Sequence, residues 1–426
     1  MRRISSHQEL EDFLGSEEHP LCDYAYRHWG NHAAGCCEEG GIPNAVTDLL
    51  LQWRHYPFLT DGRNFDLFER GHIAAYYGLR WDRLLQGNEW CNHPTSIMKF
   101  TPLILACDRG NKDFVELLLS HDDIAVNTQT EYGQTALYAA SYNGHDAVVE
   151  LLLSHCDIAV NTQTKVGCTA LIVASNSGHV AVVKLLLSHR DIAINTQTKI
   201  GWTALYAASD NGHEAVVKLL LSHCNIAVNT QTKIGWTALI AASNSGHVAV
   251  VKLLLSHRDI DVNIQTKMGW TALYAASDNG HEAVVKLLLS HRNVTVNTQT
   301  KWTALSAASN NGHAAVVELL LSHCDIAVNT QTKMGWTALS AASDSGHIAV
   351  IKLLLSHQDV AVNTQTEEGW TALYSASLRG KEAVVKLLLS RSDVIINTQT
   401  KDGQTALSAA SKNGHERVVE LLSCSA

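Results

Sequence analysis

Apolar and polar positions recur in the same order along most of this chain. A triplet Thr-(Ala/Pro)-Leu opens each recurrence, at Thr101, Thr135, Thr169, Thr203, Thr237, Thr271, Thr303, Thr337, Thr371 and Thr405. Eight of the nine spacings between these starts are 34 residues and one is 32. Because a fixed period of this length is the sequence signature of a repeat architecture, the pattern predicts a stack of similar repeats rather than separate globular domains.

Each repeat contains two short apolar segments and one polar segment, as residues 203–236 illustrate. The first segment is rich in alanine and ends before Gly212, a residue that tolerates the left-handed backbone at a helix end. The second segment has a broad apolar face that is typical of a buried helix; this face comprises Val216, Val217, Leu219, Leu220 and Leu221. Residues 225–236 are polar with a glycine near the tip, which predicts an extended hairpin finger.

These residues resemble the ankyrin repeat family, whose signature is Thr-Pro-Leu-His-x-Ala at a period of about 33 residues. Thr101-Pro102-Leu103 keeps the proline, the other nine repeats read Thr-Ala-Leu, and Gly-His follows the first helix in eight repeats. The resemblance implies an all-α fold, an ankyrin repeat solenoid in which every repeat is a helix-turn-helix plus a β-hairpin finger. It also implies a right-angled, curved stack. The signature histidine is replaced by tyrosine, isoleucine or serine.

The chain is predicted to contain three segments. Residues 1–66 form an N-terminal helical segment, residues 67–98 a degenerate capping repeat, and residues 99–426 ten ankyrin-type repeats with the last one truncated. The capping repeat is suggested by residues 69–85, which fit the repeat template with His72 and Gly78 in register. Residues 20–34 resemble the segment that precedes the ankyrin array in fungal NACHT-ankyrin proteins, but the chain contains no G-x-x-x-x-G-K-[ST] phosphate-binding loop.

Composition narrows the possible classes of function. The chain has 426 residues, 46% hydrophobic, with a formal net charge of −9. A nucleic-acid-binding protein needs a basic face, which this sequence does not suggest. The N-terminal residues lack a signal-peptide pattern, the apolar runs are too short for a membrane span, and the cysteines are scattered. We therefore expect a cytoplasmic monomer, with the nucleus as the alternative location, that engages neither nucleic acid nor membrane.

No catalytic motif is recognisable, so the chain is predicted not to be an enzyme and to need no cofactor or small-molecule substrate. The histidines are numerous but recur once per repeat, whereas zinc ligands converge at close spacing. We interpret them as structural ladders along the stack rather than as metal ligands.

The most informative side chains are tryptophans that directly precede the Thr-Ala-Leu triplet, at Trp202, Trp236, Trp270, Trp302, Trp336 and Trp370. The ankyrin resemblance implies that this position faces a concave groove. The same groove would contain the finger lysines Lys199, Lys233, Lys267 and Lys333, and first-helix ends that include Asp210, Asn211, Asp278, Asn279 and Asp344. Two interpretations stay open: the indoles pack on one another inside the solenoid, or they anchor a partner, as tryptophan commonly does at interfaces.

Two hypotheses about function follow from these features. The first is a non-catalytic scaffold that binds a partner protein through the concave groove and the fingers. The alternative is a recognition or regulatory arm of a fungal NACHT-type signalling ATPase, present here without its nucleotide-binding domain. The second hypothesis rests on residues 20–34 and on the capping repeat.

Overall fold

The structure is a computed structural model that describes residues 56–60, 64–78, 90–298 and 302–425. The chain divides into two compact units. The first comprises Met1–Ala207 with Ser222–Ile226, and the second comprises Ala208–Leu221 with Ala227–Ala426. Both units contain the same repeat of two antiparallel helices and a finger, so the predicted all-helical repeat solenoid is confirmed.

The first helices of the repeats are Arg70–Tyr77, Pro102–Arg109, Ala136–Asn143, Ala170–Ser177, Ala204–Asp210, Ala238–Asn244, Ala272–Asp278, Ala304–Asn310, Ala338–Ser345, Ala372–Leu378 and Ala406–Lys412. The second helices are Lys112–Leu119, Asp146–Ser154, Val180–Ser188, Glu214–Leu221, Val248–Leu255, Glu282–Leu289, Ala314–Leu321, Ile348–Ser356, Glu382–Leu389 and Glu416–Ser425. Within each compact unit, first helices pack on first helices of neighbouring repeats and second helices on second helices. The core therefore runs along each stack.

The ends of the first helix are determined by the residues that define the sequence pattern. Thr271 is the N-cap of its helix, and its Oγ1 accepts a hydrogen bond from the Tyr274 amide at 3.1 Å. This bond satisfies one of the amides that a helix N-terminus otherwise leaves unpaired. Just beyond the helix, Gly280 has a φ of +74°. A residue with a Cβ is strained in this left-handed conformation, which explains why glycine recurs there.

The second helix buries a narrower face than the sequence pattern predicted. In the helix Glu214–Leu221, Val216, Val217 and Leu220 are fully buried, whereas Leu219 and Leu221 are only half-buried. Residues at positions i, i+1 and i+4 share one face of a helix, and this face meets the neighbouring helices. The two flanking leucines lie at its edges, so the five-residue apolar face predicted for this helix is wrong at Leu219 and Leu221.

A tight turn closes the fingers whose tips the structure describes, as residues 232–236 illustrate. The Gly235 amide donates to the Thr232 carbonyl at 2.8 Å, and the Thr232 amide donates to the Trp236 carbonyl at 2.8 Å. The Thr232 side chain is buried, and its Oγ1 accepts a bond from the Trp236 amide at 3.0 Å. Among the described finger residues no ladder of paired strands is present, so the fingers are hydrogen-bonded loops rather than the expected β-hairpins.

The polar residues between the second helix and the finger connect neighbouring repeats. Asn229 donates from Nδ2 to the Asp259 carbonyl at 2.7 Å and accepts the Asp261 amide on Oδ1 at 3.0 Å. Gln231 donates from Nε2 to the Gln265 carbonyl of the next repeat at 3.0 Å. These side chains bond main-chain groups of the next repeat, so they tie neighbouring repeats together along the solvent-exposed side of the fingers.

The described part of the predicted N-terminal helical segment is not helical. Strand β1 (Tyr56–Thr60) pairs with strand β2 (Asn64–Phe68) in an antiparallel two-stranded sheet, with Tyr56 opposite Phe68. Helix was therefore the wrong prediction for 56–60 and 64–66. Both segments are rich in aromatic residues, which fit a strand better than a short helix, and tertiary packing decides such cases. Residues 1–55, including 20–34, lie outside the described residues.

The helix Arg70–Tyr77, in the segment predicted as a degenerate repeat, packs on the first helix Pro102–Arg109. His72 is buried and accepts the Glu69 amide on Nδ1 at 3.0 Å, while its Nε2 lies 2.8 Å from the His93 carbonyl. The helix ends at Gly78, whose φ is +70°. Residues 79–89, which contain Leu84 and Leu85 of the predicted repeat, are not among the described residues.

The first helices that the structure describes carry a row of buried serines whose hydroxyl groups lack hydrogen-bond partners. The serines at equivalent first-helix positions have no hydrogen-bond partner for Oγ within the part of the chain that the structure describes; they are Ser141, Ser175, Ser209, Ser243, Ser277, Ser309, Ser343 and Ser377. A buried hydroxyl without a partner costs free energy. We expect Ser277→Ala to leave the free energy of unfolding unchanged or raise it by up to about 1 kcal/mol in urea denaturation.

Ser340 is the matched control for this substitution. It is equally buried, but its Oγ accepts from the Thr337 amide at 2.8 Å and donates to the Thr337 carbonyl at 3.0 Å. We expect Ser340→Ala to lower the free energy of unfolding by about 1–2 kcal/mol, because the capping box is lost. Equal losses in the two variants would show that the Ser277 hydroxyl is bonded after all.

Candidate functional site

The six candidate tryptophans lie at the junction between a finger and the first helix that follows. All six are half-buried: Trp202, Trp236, Trp270, Trp302, Trp336 and Trp370. Hydrogen bonds hold the main chain of five of them in place. The amides of Trp236, Trp270 and Trp336 donate to the side-chain oxygen of the finger threonine four residues earlier, at 3.0, 3.1 and 3.0 Å respectively. The same bond is present at Trp202 and Trp370, so these five rings start from a hydrogen-bonded turn.

In the second compact unit the indoles contact one another along the stack. The ring centroids of Trp236 and Trp270 are 6.4 Å apart in an edge-to-face arrangement. Those of Trp302 and Trp336 are 6.5 Å apart, and those of Trp336 and Trp370 are 6.2 Å apart. These separations lie in the range in which aromatic pairs attract each other. Internal packing thus accounts for part of each ring surface, and the remainder is accessible.

A tyrosine beneath some of the tryptophans adds a second ring contact. Trp270 stacks on Tyr274 with centroids 5.2 Å apart and planes 28° from parallel, and Trp370 lies 5.3 Å from Tyr374. In the first compact unit Trp202 contacts Tyr206 at 5.2 Å. Burial raises the pKa of Tyr274 to about 12, so its hydroxyl stays protonated at neutral pH. The position is isoleucine or serine after the other three tryptophans, so only half of the six indoles have a tyrosine at this position.

The four candidate lysines are exposed at the finger tips, at Lys199, Lys233, Lys267 and Lys333. In the part of the chain that the structure describes, none of the four lies within ion-pair distance of a carboxylate. By contrast, the equivalent Lys165 pairs with Glu131 at 2.6 Å. A free ammonium group on a short, rigid loop is available to a negatively charged partner.

The candidate acidic and amide residues at the first-helix ends are partly engaged in contacts between repeats. Asn311 donates to the Asp278 carboxylate at 3.0 Å, and Arg379 donates to Asp344 at 3.0 Å. Asn279 donates to the Asn244 side chain at 3.1 Å. Asp278, Asn279 and Asp344 therefore help to join neighbouring repeats.

The two remaining candidates at the first-helix ends are Asp210, which is partly buried, and Asn211, which is exposed. Partial burial raises the pKa of the Asp210 carboxyl, and the nearby His247 opposes that shift. The direction of the Asp210 shift reflects desolvation, which disfavours the charged carboxylate.

The sequence interpretation overlooked the residues at the extreme tips of the fingers. The apolar side chain between the lysine and the glycine is exposed at Ile200 (56%), Ile234 (61%), Met268 (65%) and Met334 (54%). The signal was present, because an apolar residue recurs between Lys and Gly-Trp in each of these fingers. A single exposed apolar side chain is ordinary, but its recurrence at equivalent finger positions makes these tips candidates for a contact surface.

The histidines that follow the glycine turns have a structural role. His313 packs against Gly280 of the preceding repeat, and its Nε2 lies 3.0 Å from the Asp278 carbonyl. The same bond recurs at His145, His179, His247, His281, His347 and His415. Each of these rings pairs a carbonyl at the end of the preceding first helix, so the ladder that we predicted joins consecutive repeats.

Two other clusters bring metal-binding atom types together. The ligand atoms of His155, Cys156 and Asp157 lie within 4.8 Å of one another, as do those of His323, Cys324 and Asp325. In both triplets the cysteine and the aspartate are exposed. A structural zinc site has four enclosing ligands, whereas three consecutive surface residues supply an open and weak set.

Comparison with protein families identifies the class to which this chain belongs. The family model described as ankyrin repeats (3 copies) matches residues 72–164, 155–232, 224–300, 292–365 and 357–426. The chain is therefore a member of the ankyrin repeat family, whose repeats generally serve as protein-interaction modules and are typically not enzymes. No curated protein matches the chain. Within the described residues no helix has both the length and the apolar character needed to cross a bilayer.

Proposed function

We propose that this protein is a non-catalytic scaffold that binds a partner protein through the tryptophan row and the fingers. The observation that carries the proposal is the row of half-buried indoles, each with part of its surface accessible and five of them held by a hydrogen-bonded turn. Tryptophan is strongly enriched among the residues that dominate binding energy at interfaces. A preorganised side chain also loses little conformational entropy when a partner binds.

Neighbouring groups supply the polar surroundings of such a site. The finger lysines precede the indoles by three residues along the chain, and the bridged residues Asp278, Asn279 and Asp344 lie at the first-helix ends. Interface hot spots are typically apolar anchors surrounded by polar groups that exclude water. We infer that the tryptophans supply affinity and that the lysines supply charge selectivity.

Removing three indoles tests this proposal. We expect a chain that carries Trp236→Ala, Trp270→Ala and Trp336→Ala to lose at least about tenfold in affinity for its partner, since a single hot-spot truncation costs about 2 kcal/mol or more. Partners captured from cell extract by the unaltered protein would be identified by mass spectrometry. Their affinities for both chains would then be measured by surface plasmon resonance. Circular dichroism would establish that the variant is folded.

The matched control replaces three exposed lysines of the second helices, Lys218→Ala, Lys252→Ala and Lys286→Ala. This variant alters the same number of repeats on another face, and we expect it to bind as the unaltered protein does. Unchanged partner binding by the folded tryptophan variant would contradict the proposal, as would an equal loss in the lysine control.

The alternative function, a regulatory arm of a NACHT-type ATPase, stays a prediction from residues 20–34, which lie outside the described residues. The expected monomeric state and the expected location in the cytoplasm or nucleus also stay predictions.

A further inference from the structure

The finger tips of the second compact unit present a repeated pair of side chains, one cationic and one apolar. We define the tip pairs as Lys233 with Ile234, Lys267 with Met268, and Lys333 with Met334. All six side chains are exposed, the apolar ones by 61%, 65% and 54%. The positions of the pairs are set by the turn that closes each finger, so the pairs form an ordered surface rather than flexible loops.

Main-chain hydrogen bonds tie adjacent tips together. The Lys267 amide donates to the Ile234 carbonyl at 3.1 Å, and the Glu367 amide donates to the Met334 carbonyl at 3.0 Å. The first bond holds the Lys233–Ile234 and Lys267–Met268 pairs in register, and the second joins the Lys333–Met334 pair to the finger that follows it. One finger, which contains residues 299–301 outside the described part of the chain, lies between the second and third tip pairs. A partner that lies along the tips meets cationic and apolar groups at each of these fingers.

The charge of these tips is opposite to that of the whole chain. The formal net charge is −9, yet the finger segments 231–236, 265–270 and 331–336 each contain one lysine and no acidic residue. The next finger, residues 365–370, carries Glu367 and Glu368 in place of the lysine and the apolar residue. The tip pairs therefore end abruptly at an acidic finger, which marks one limit of the cationic surface.

Charge complementarity and the apolar side chains together indicate the occupant. We propose, building on the scaffold function above, that the tip pairs bind an acidic, extended polypeptide segment whose carboxylates meet the lysines and whose apolar side chains cover Ile234, Met268 and Met334. Complementary charges steer association and select partners, while burial of the apolar tips adds affinity. A half-buried indole follows each tip pair two residues later, and since tryptophan is enriched at protein interfaces this favours a protein partner over a lipid surface.

A random peptide library displayed on phage provides the probe. We expect selection on the full-length protein to enrich peptides that are rich in Asp and Glu and that contain spaced apolar residues. The best peptide, labelled with a fluorophore, would then be titrated by fluorescence anisotropy. Binding should weaken at least about tenfold when Lys233→Glu and Lys267→Glu are combined. It should also weaken when salt is raised from about 50 mM to about 300 mM, because exposed charges are then screened.

Two further variants make the test specific. The double variant Ile234→Ser, Met268→Ser should bind the same peptide more weakly, and its binding should still depend on the salt concentration. Lys218→Glu with Lys286→Glu, which reverses two exposed lysines on second helices, should leave the affinity unchanged. An equal loss in that control would overturn the assignment to the finger tips.

The outcomes separate this inference from the scaffold proposal. Enrichment of neutral or basic peptides that still require the tryptophans would overturn the inference and leave the scaffold function intact. If the folded tryptophan variant binds its partner as tightly as the unaltered protein does, both the scaffold proposal and this inference are overturned. The unaltered protein could instead sediment with phosphatidylserine vesicles while the Lys233→Glu, Lys267→Glu variant does not. That result would assign the tips to an anionic membrane and overturn the inference.

Discussion

Gly280→Ala is expected to lower the free energy of unfolding by about 3 kcal/mol or more. Two costs combine. The φ of +74° is a left-handed conformation that costs an L residue about 1–2 kcal/mol. In addition, a Cβ at this position would lie 2.5 Å from Nδ1 of His313 in the next repeat. The imidazole must move, which breaks its bond to the Asp278 carbonyl.

Urea denaturation combined with amide hydrogen exchange would measure the effect. Long repeat arrays do not always unfold in one cooperative step, so exchange in the helices Ala272–Asp278 and Ala304–Asn310 would report the local loss directly. We expect both helices to lose protection together, because the clash lies between their repeats.

The chain contains a matched control for the steric part of this prediction. Gly414 has the same φ of +74°, but nothing lies within 4 Å of the position that its Cβ would occupy. Gly414→Ala should therefore cost only the backbone term of about 1–2 kcal/mol. Adding His313→Ala to Gly280→Ala should recover the steric part of the loss, which a double-mutant cycle would quantify. Equal costs at the two glycines would contradict the packing of His313 on Gly280.

Leu288→Ala is expected to lower the free energy of unfolding by about 3 kcal/mol, within the range seen for large-to-small changes in a core. Leu288 is 0% exposed in the last turn of the helix Glu282–Leu289, which packs on the second helices of both neighbouring repeats. Removing its side chain leaves a cavity that two interfaces share. Since a repeat stack is stabilised by its nearest-neighbour interfaces, both are weakened.

The adjacent Leu287→Ala is the control, because this side chain is only half-buried in the same helix. We expect it to cost about 1 kcal/mol, in proportion to the smaller apolar area removed from water. Urea denaturation of both variants, with circular dichroism at 222 nm as the signal, would compare them. Equal losses at the two leucines would show that the whole apolar face is buried, as the sequence pattern alone suggested.

Several features of this protein could be predicted from its sequence because their causes are local. Thr271 caps a helix through its own side chain, and Gly280 ends one because only glycine is unstrained there. Threonine and glycine at the equivalent positions therefore mark the start and the end of the first helix in the other repeats. The fixed period then implied stacking, since a helix pair this small cannot bury its apolar face alone.

Other features depend on contacts between repeats and were decided only by the tertiary structure. The sequence pattern did not separate Leu288 from Leu287, because burial depends on which side of a helix its neighbours occupy. Residues 56–60 of β1 and 64–66 of β2 were predicted as helix, since short aromatic segments have weak local preferences. The half-burial of the tryptophans and the exposure of Ile234 and Met268 were likewise beyond local reasoning. Local backbone preference determines where each helix begins and ends, whereas packing against the next repeat determines which side chains remain available to a partner.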